Sequence, residues 1–166
     1  MSDLLKDVER KFGSEGKPRS EELVNQDGYD ELEKADALNS FGRTSWKTVY
    51  RYLLQGEPGW SNTKLEEWSC LEPGALRYFM RSYLLYLFHT LGQAQPDDEF
   101  VSYFHFQLSE VLRLRGRSIF DEEQRAVLAR VAGEVLAKIE NSPAFDIWRN
   151  DIRTNVNKCL SFLNAA

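Results

Sequence analysis

The segment at 71–91, LEPGALRYFMRSYLLYLFHTL, limits the possible folds more than any other part of the sequence. Pro73 is suited to the first position of a helix and Gly92 is a typical terminator, so the segment predicts a helix over 73–91. Within 78–88, one arginine and one serine are the only side chains that are neither apolar nor aromatic. A helix that is apolar on nearly every side is normally buried among other helices. The segment therefore predicts a central, buried helix.

Three further long segments and several shorter ones show the apolar periodicity of amphipathic helices. Their starts carry recognisable signals: Asp121 is a suitable N-cap with Gln124 at the capping-box position, and Ser45 is a suitable N-cap for 46–55. No segment shows the sustained alternation that is typical of a strand. The sequence therefore predicts an all-α, single-domain fold over residues 1–166. It is a bundle of about four longer helices with shorter N-terminal helices, the longer ones being 73–91, 98–115, 122–140 and 143–163.

Acidic residues are concentrated in one stretch near the N-terminus. The 166-residue chain has a formal net charge of −5, but residues 21–36 alone hold seven carboxylates and one lysine. The structural interpretation is a solvated face. The functional interpretation is a docking surface, because clustered carboxylates attract a basic partner and repel acidic ones. Residues 13–36 are thus a candidate for a flexible acidic segment. The candidate partner-binding residues are Glu21, Glu22, Asp27, Tyr29, Asp30, Glu31, Glu33 and Asp36.

Charge and cysteine content also limit the ligands and the cellular setting. The net negative charge argues against general affinity for nucleic acids or anionic membranes. Arg77 and Arg81 interrupt the central apolar segment, which falls short of the roughly 18 consecutive apolar residues of a membrane span. Cys70 and Cys159 each lack a nearby second cysteine, and the N-terminus lacks the apolar run of a secretion signal. We therefore predict a cytoplasmic protein with no nucleic-acid or membrane partner and no cofactor.

A second set of candidate residues combines both histidines with three arginines near the end of the 98–115 helix. A guanidinium suits phosphate or carboxylate ligands, and an imidazole suits a metal or acid–base chemistry. The structural interpretation is that the arginines offset the helix dipole and that the histidines have no catalytic role. No metalloprotease, nucleophile-elbow or phosphate-loop motif accompanies them, so no catalytic residue and no metal ligand is predicted. This alternative pocket comprises His89, His105, Arg113, Arg115 and Arg117.

Three functional hypotheses follow from these patterns. The leading one is a non-enzymatic protein-binding module, in its sharpest form an immunity- or antitoxin-type inhibitor of a basic partner protein. The second is a small enzyme or ligand binder that uses the histidine–arginine pocket. The third is a homo-oligomeric structural subunit joined through small residues that share one side of the 122–140 helix and permit close helix approach. These small residues are Ala129, Gly133 and Ala137.

The stretch PGALRYFMRSYLLYLF, preceded by a tryptophan and followed by FDEEQRAVLARVAGEVLAKI, resembles a family of small uncharacterised bacterial proteins. The shared pattern is an upstream tryptophan, a helix that opens with Pro and continues to Arg-Tyr-aromatic, and a Phe-x-x-Glu-Gln helix start. The resemblance covers roughly residues 40–140 and leaves the acidic N-terminal part unmatched. It implies a bacterial cytoplasmic helical domain and no particular activity. The matching positions are Trp46, Pro73, Arg77, Tyr78, Phe79, Phe120, Glu123 and Gln124.

Overall fold

The computed structural model describes residues 2–25, 29–60 and 63–165, so the predicted role of Asp27 lies outside the described residues. Within these ranges the regular elements are α-helices and single turns of 3-10 helix, which confirms the all-α prediction. The α-helices are α1 (Ser2–Phe12), α2 (Glu31–Phe41), α3 (Trp46–Gln55), α4 (Thr63–Glu66), α5 (Pro73–Leu91), α6 (Asp98–Arg115), α7 (Glu122–Glu140) and α8 (Arg149–Leu163). The 3-10 turns are Ser20–Glu22, Glu67–Cys70, Arg117–Ile119 and Pro143–Phe145.

Helix α5 is the central helix that the apolar segment predicts, and most of its side chains are buried. It packs mainly against α3 and α1. Two polar residues in the middle of this helix, Arg81 and Ser82, both contact Trp46 at the start of α3. The Ser82 hydroxyl donates to the Trp46 carbonyl oxygen at 2.8 Å, and the Arg81 guanidinium carbon lies 3.9 Å from the indole centroid. In the described ranges, neither this helix nor any other combines the length and apolar character needed to cross a bilayer.

Helices α6, α7 and α8 form the other half of the bundle. Asn155 donates to the Ser102 hydroxyl at 3.1 Å, and farther along both helices Lys158 Nζ lies 2.6 Å from Glu110 Oε1. Because residue numbers increase in both helices between these contacts, α6 and α8 run parallel. Helix α7 is joined to both by short connections and runs antiparallel to them.

Helix α1 connects the two halves, because it packs against both α5 and α7. A polar cluster fixes this junction. Gln124 Nε2 donates to the Lys11 carbonyl oxygen at 3.1 Å and to Glu15 Oε1 at 3.2 Å. Arg77 donates from Nε to Glu15 at 2.7 Å and from Nη1 to the Ile119 carbonyl oxygen at 2.8 Å. The short helices thus contribute more to covering α5 than a bundle of four long helices implies.

Two predicted helix starts are confirmed by their hydrogen bonds. The Ser45 hydroxyl accepts the Thr48 N–H at 3.3 Å at the start of α3. At the start of α7, the Asp121 carboxylate accepts the Gln124 N–H at 2.7 Å, and the Gln124 side-chain oxygen accepts the Asp121 N–H at 3.3 Å. The second arrangement is a capping box, in which two otherwise unpaired donors are satisfied reciprocally.

The last helix begins later than the predicted residue 143. Pro143–Phe145 form one 3-10 turn, with the Asp146 N–H bonded to the Pro143 carbonyl oxygen at 3.1 Å, and α8 starts at Arg149. The turn places the Phe145 ring in the core while Ile147 stays 88% exposed. The chain thus forms a 3-10 turn that buries the Phe145 ring, where the proline predicts the first turn of an α-helix.

The small residues on α7 lie at the surface, and they provide a stability prediction. A Cβ added at Gly133 would have no heavy atom within 4 Å outside its own helical backbone. We therefore expect Gly133→Ala to raise the free energy of unfolding by about 0.5–1 kcal/mol, because glycine in a helix interior is less favourable than alanine. Urea unfolding measures this change.

For the homo-oligomer hypothesis, Gly133→Leu should dissociate the assembly, and an unchanged mass in solution would contradict it.

Candidate functional site

A short backbone pairing holds the N-terminal acidic stretch against the segment before α5. Val24 and Leu71 form an isolated antiparallel bridge. The Asn25 N–H donates to the Cys70 carbonyl oxygen at 2.8 Å, and the Glu72 N–H donates to the Leu23 carbonyl oxygen at 2.9 Å. Carboxylates that are far apart in sequence, at 15–36 and at 66–72, therefore share one region of the surface. We call this region the acidic surface.

The first part of the acidic surface is an open cavity of about 560 Å³ beside the N-terminus of α5. Some of its carboxylates are paired: Glu15 bonds to Arg77 at 2.7 Å, and Arg19 lies 3.7 Å from Glu21 and 3.5 Å from Glu22. The cavity nevertheless presents four carboxylates and one ammonium group to solvent. These residues are Glu15, Glu21, Glu22, Glu72 and Lys17.

The second part is a smaller cavity of about 180 Å³ between α2 and residues 66–70, which we call the acidic cavity. Glu33 and Asp36 contribute from α2, Glu66 and Glu67 from the opposite side. Glu67 pairs with Lys64 at 2.7 Å, whereas no described cation forms an ion pair with the other three carboxylates. The acidic cavity is therefore a concentration of negative charge that described residues neutralise only in part.

Glu67 is the least solvated of these carboxylates. Its side chain is 11% exposed, and its Oε2 atom is buried without a hydrogen-bond partner among the described residues. Burial raises the pKa of Glu67, and the ion pair with Lys64 offsets this effect only in part. The neighbouring Tyr83 is fully buried, and burial, together with the charge of Glu67, raises the pKa of its phenol far above the usual range. Tyr83 is therefore a neutral phenol beside a partly desolvated carboxylate.

The raised pKa of Glu67 predicts a pH-dependent stability. The folded state binds this proton more tightly than the unfolded state, in which the pKa is near 4.5. Glu67 therefore makes its full contribution to the free energy of unfolding at pH values below the unfolded-state pKa. This contribution is lost as pH rises through the folded-state pKa. We expect the stability of the wild type relative to Glu67→Gln to fall as pH increases from about 4 to 7. Urea unfolding at each pH measures it, and a pH-independent difference would contradict it.

The acids predicted from the 21–36 stretch have several local roles. Asp30 is the N-cap of α2 and accepts the Glu33 N–H at 2.8 Å, while Glu33 accepts the Asp30 N–H at 3.2 Å. Glu31 pairs with Lys34 at 3.0 Å. Asp36 forms no ion pair with a described residue, and Tyr29 is half-buried against the core. The capping and paired carboxylates remain exposed, so their charge still faces solvent.

These acids do not pair with the two arginines of the central helix. The partner of Arg77 is Glu15, and the partner of Arg81 is Glu9, with a distance of 3.7 Å between Nη2 and Oε1. The carboxylates that cover the cationic side of α5 therefore come from α1 and the residue shortly after it. The carboxylates at 21–36 therefore form no ion pair with Arg77 or Arg81.

Four members of the acidic surface were not predicted from the sequence: Glu15, Glu66, Glu67 and Glu72. They lie outside the charge-rich stretch, and no motif or spacing distinguishes them. Their proximity to residues 21–36 depends on the pairing of Val24 with Leu71. That contact is between distant segments, and no local pattern predicts it.

The two histidines have different environments. His105 is buried on α6, and its Nδ1 lies 2.8 Å from the Val101 carbonyl oxygen. Burial lowers the pKa of His105 to about 4, so the imidazole is neutral at pH 7. His89 is exposed near the end of α5 and stacks on Tyr86 with ring centroids 6.2 Å apart. This geometry favours the structural interpretation of His105.

The three arginines at the end of α6 also have separate neighbours. Arg113 pairs with Glu110 one turn earlier at 2.7 Å. Arg115 donates to the Leu71 carbonyl oxygen and thereby supports the segment before α5. Arg117 lines a different cavity, of about 240 Å³, near the start of α7. Two of the three guanidinium groups are thus engaged within the chain.

Within residues 2–25, 29–60 and 63–165, no group of three or more His, Cys, Asp or Glu side chains has an arrangement that could hold a metal ion. In comparisons with known proteins, no family model, curated protein or solved structure matches the chain. The resemblance to a bacterial family therefore stays a prediction.

Proposed function

We propose that the protein is a protein-binding module that uses its acidic surface to bind a basic partner protein in the cytoplasm. The observation that carries the proposal is the meeting of carboxylates from residues 15–22, from α2 and from residues 66–72 around two cavities. In its most specific form, the module is an immunity- or antitoxin-type inhibitor that covers the basic active site of its partner.

The charge distribution supports this class of function. Like charges on one surface repel each other, so a chain that gathers them without neutralising them gains nothing in folding stability. A basic partner turns the same repulsion into attraction, which accelerates encounter and rejects acidic competitors. Asp36, Glu66 and Glu72 are the strongest candidates for such contacts, because no described cation forms an ion pair with them. The cation of the partner would therefore not have to displace an internal one.

The proposal predicts that partner recovery depends on the acidic surface. The tagged protein is purified from its own host, and stoichiometric partners are identified. The double variant Asp36→Asn with Glu66→Gln should reduce partner recovery about tenfold at low salt, because it removes two attractive charges. The matched control is Asp3→Asn with Glu134→Gln, which changes the net charge equally at exposed positions on α1 and α7. Absence of any basic partner, or equal loss in both variants, would contradict the proposal.

The inhibitor hypothesis also predicts that the chain protects cells from a toxin. If a toxin gene lies beside the gene for this chain, coexpression of the wild type should restore growth of cells that produce the toxin. The Asp36→Asn, Glu66→Gln variant should protect less well than the control variant. If the chain binds a basic partner but does not restore growth of the cells, the protein-binding function would stand and the inhibitor hypothesis would be contradicted.

A further inference from the structure

The outer face of α2 carries exposed apolar residues next to the acidic cavity. Leu32 is 71% exposed and Leu38 is 38% exposed, while Ala37 and Phe41 on the opposite face are fully buried. Ala35 lies between the two leucines and is also exposed. Residues three positions apart form a ridge on a helix surface. The chain therefore presents an apolar ridge made of Leu32, Ala35 and Leu38.

One carboxylate lies within this ridge, and others lie along one side of it. At about 100° per residue, Glu31 projects between Ala35 and Leu38, whereas Asp36 follows Leu32 on the side that faces the acidic cavity. Glu33 lies farther round on the same side and lines the cavity with Asp36. A single exposed leucine is ordinary on a protein surface, but an apolar ridge beside an acidic cavity complements one kind of partner. Such a partner has apolar residues on one face and cations along one edge of that face.

The acidic cavity adds a specific position for one of those cations. Its far wall is formed by Glu66 and Glu67, and the buried Oε2 atom of Glu67 has no hydrogen-bond partner among the described residues. An ammonium or guanidinium group has donors that such an oxygen can accept, and it carries no acceptor of its own. Because this oxygen has almost no solvent-exposed area, a cation in the cavity would contact the exposed Asp36 and Glu66, and Glu67 would add negative charge behind them.

The backbone of α2 indicates the shape of the partner segment. Its N-terminus is capped by Asp30, and the Gly42 N–H at its end bonds to the Leu38 carbonyl oxygen at 2.9 Å. The exposed face therefore offers no edge to which an extended strand could add, because strand addition needs unpaired backbone groups. A helix satisfies its own backbone and presents ridges that fit beside the α2 ridge.

Building on the proposed function, we infer that α2 docks a basic amphipathic helix of the partner protein. The apolar side chains of that helix cover Leu32, Ala35 and Leu38. One lysine or arginine side chain enters the acidic cavity between Asp36 and Glu66. The partner class is thus a protein with an exposed helix that carries leucine-like residues on one face and cations beside them.

The test uses a fluorescent 14-residue peptide of leucine and lysine with helical amphipathic spacing, compared with a peptide of the same composition in which that spacing is scrambled. Anisotropy gives the affinity of each protein variant. We expect the amphipathic peptide to bind at least about tenfold more tightly than the scrambled one. The ridge variant Leu32→Ser with Leu38→Ser and the cavity variant Asp36→Asn with Glu66→Gln should each weaken binding about tenfold or more.

Matched controls separate this inference from the proposed function. Leu114→Ser changes another leucine that is 55% exposed, on α6, and Glu21→Gln with Glu22→Gln removes two charges from the other cavity. Neither should change the affinity for the amphipathic peptide. Equal binding of both peptides, or sensitivity to the Glu21 and Glu22 changes alone, would overturn docking on α2 and leave the acidic surface in place. Absence of binding would also overturn it, and partner recovery from the host would then decide the proposed function separately.

Discussion

Replacing Trp68 with alanine should lower the free energy of unfolding by about 4 kcal/mol, the largest effect we expect from a single substitution. The indole is fully buried, and its ring centroid lies 4.8 Å from that of Tyr83 on α5 and 5.5 Å from that of Phe104 on α6. Both contacts are edge-to-face, which adds to the energy of burial. The substitution would leave a cavity where the 67–70 turn, α5 and α6 meet. Urea unfolding, monitored by circular dichroism, measures the change.

Two further variants check the origin of this effect. Ile147→Ala changes a large apolar residue that is 88% exposed, so it should alter stability by less than about 0.5 kcal/mol. Trp68→Phe keeps an aromatic ring and removes an Nε1–H group that is buried without a partner among the described residues. It should cost clearly less than Trp68→Ala. A loss below about 1 kcal/mol for Trp68→Ala would contradict the packing that the structure shows.

Replacing Gln124 with alanine should cost about 3 kcal/mol, because one buried side chain serves both a helix cap and a junction between helices. Its oxygen accepts the Asp121 N–H, and its amide nitrogen donates to the Lys11 carbonyl oxygen and to Glu15. Truncation would leave the Lys11 carbonyl oxygen and one cap donor without these partners. Chemical unfolding again gives the magnitude.

The neighbouring position is a suitable control for Gln124. Glu123 is exposed and pairs with Lys11 at the surface, so Glu123→Ala should cost less than about 1 kcal/mol. If the two substitutions had equal effects, the junction would owe its stability to surface charge and not to the buried amide. Both variants leave the carboxylates at 21–36 and 66–72 in place, although Gln124→Ala removes a hydrogen bond from Glu15 at the edge of the acidic surface.

The hydrogen bonds of Gln124 also show what the resemblance residues do in this chain. Arg77 and Gln124 both bond to Glu15, and Phe120 packs edge-to-face on Phe12 with centroids 6.2 Å apart. These contacts hold α1 against α5 and α7. The pattern that suggests a family is therefore explained here by structural demands. The candidate binding residues lie elsewhere on the surface.

Local order along the chain was largely predictable from the sequence. The start and end of α5 follow from Pro73 and Gly92, and the starts of α3 and α7 follow from their capping residues. These features depend on neighbouring residues only, since caps satisfy the backbone donors of the first turn and apolar periodicity defines a buried face. The same reasoning identified the charge excess at 21–36, because exposed charge can be read directly from composition.

What the sequence by itself determined is thus a set of helices, their buried faces and one acidic stretch. The tertiary structure alone decided which distant side chains meet. It paired Arg77 with Glu15, began α8 at Arg149, and used the Val24–Leu71 pairing to place Glu66 and Glu67 opposite Asp36. The physical reason is the distance along the chain over which each interaction acts. Capping and periodicity act over a few residues, whereas a surface assembled from separate segments depends on how the whole core packs.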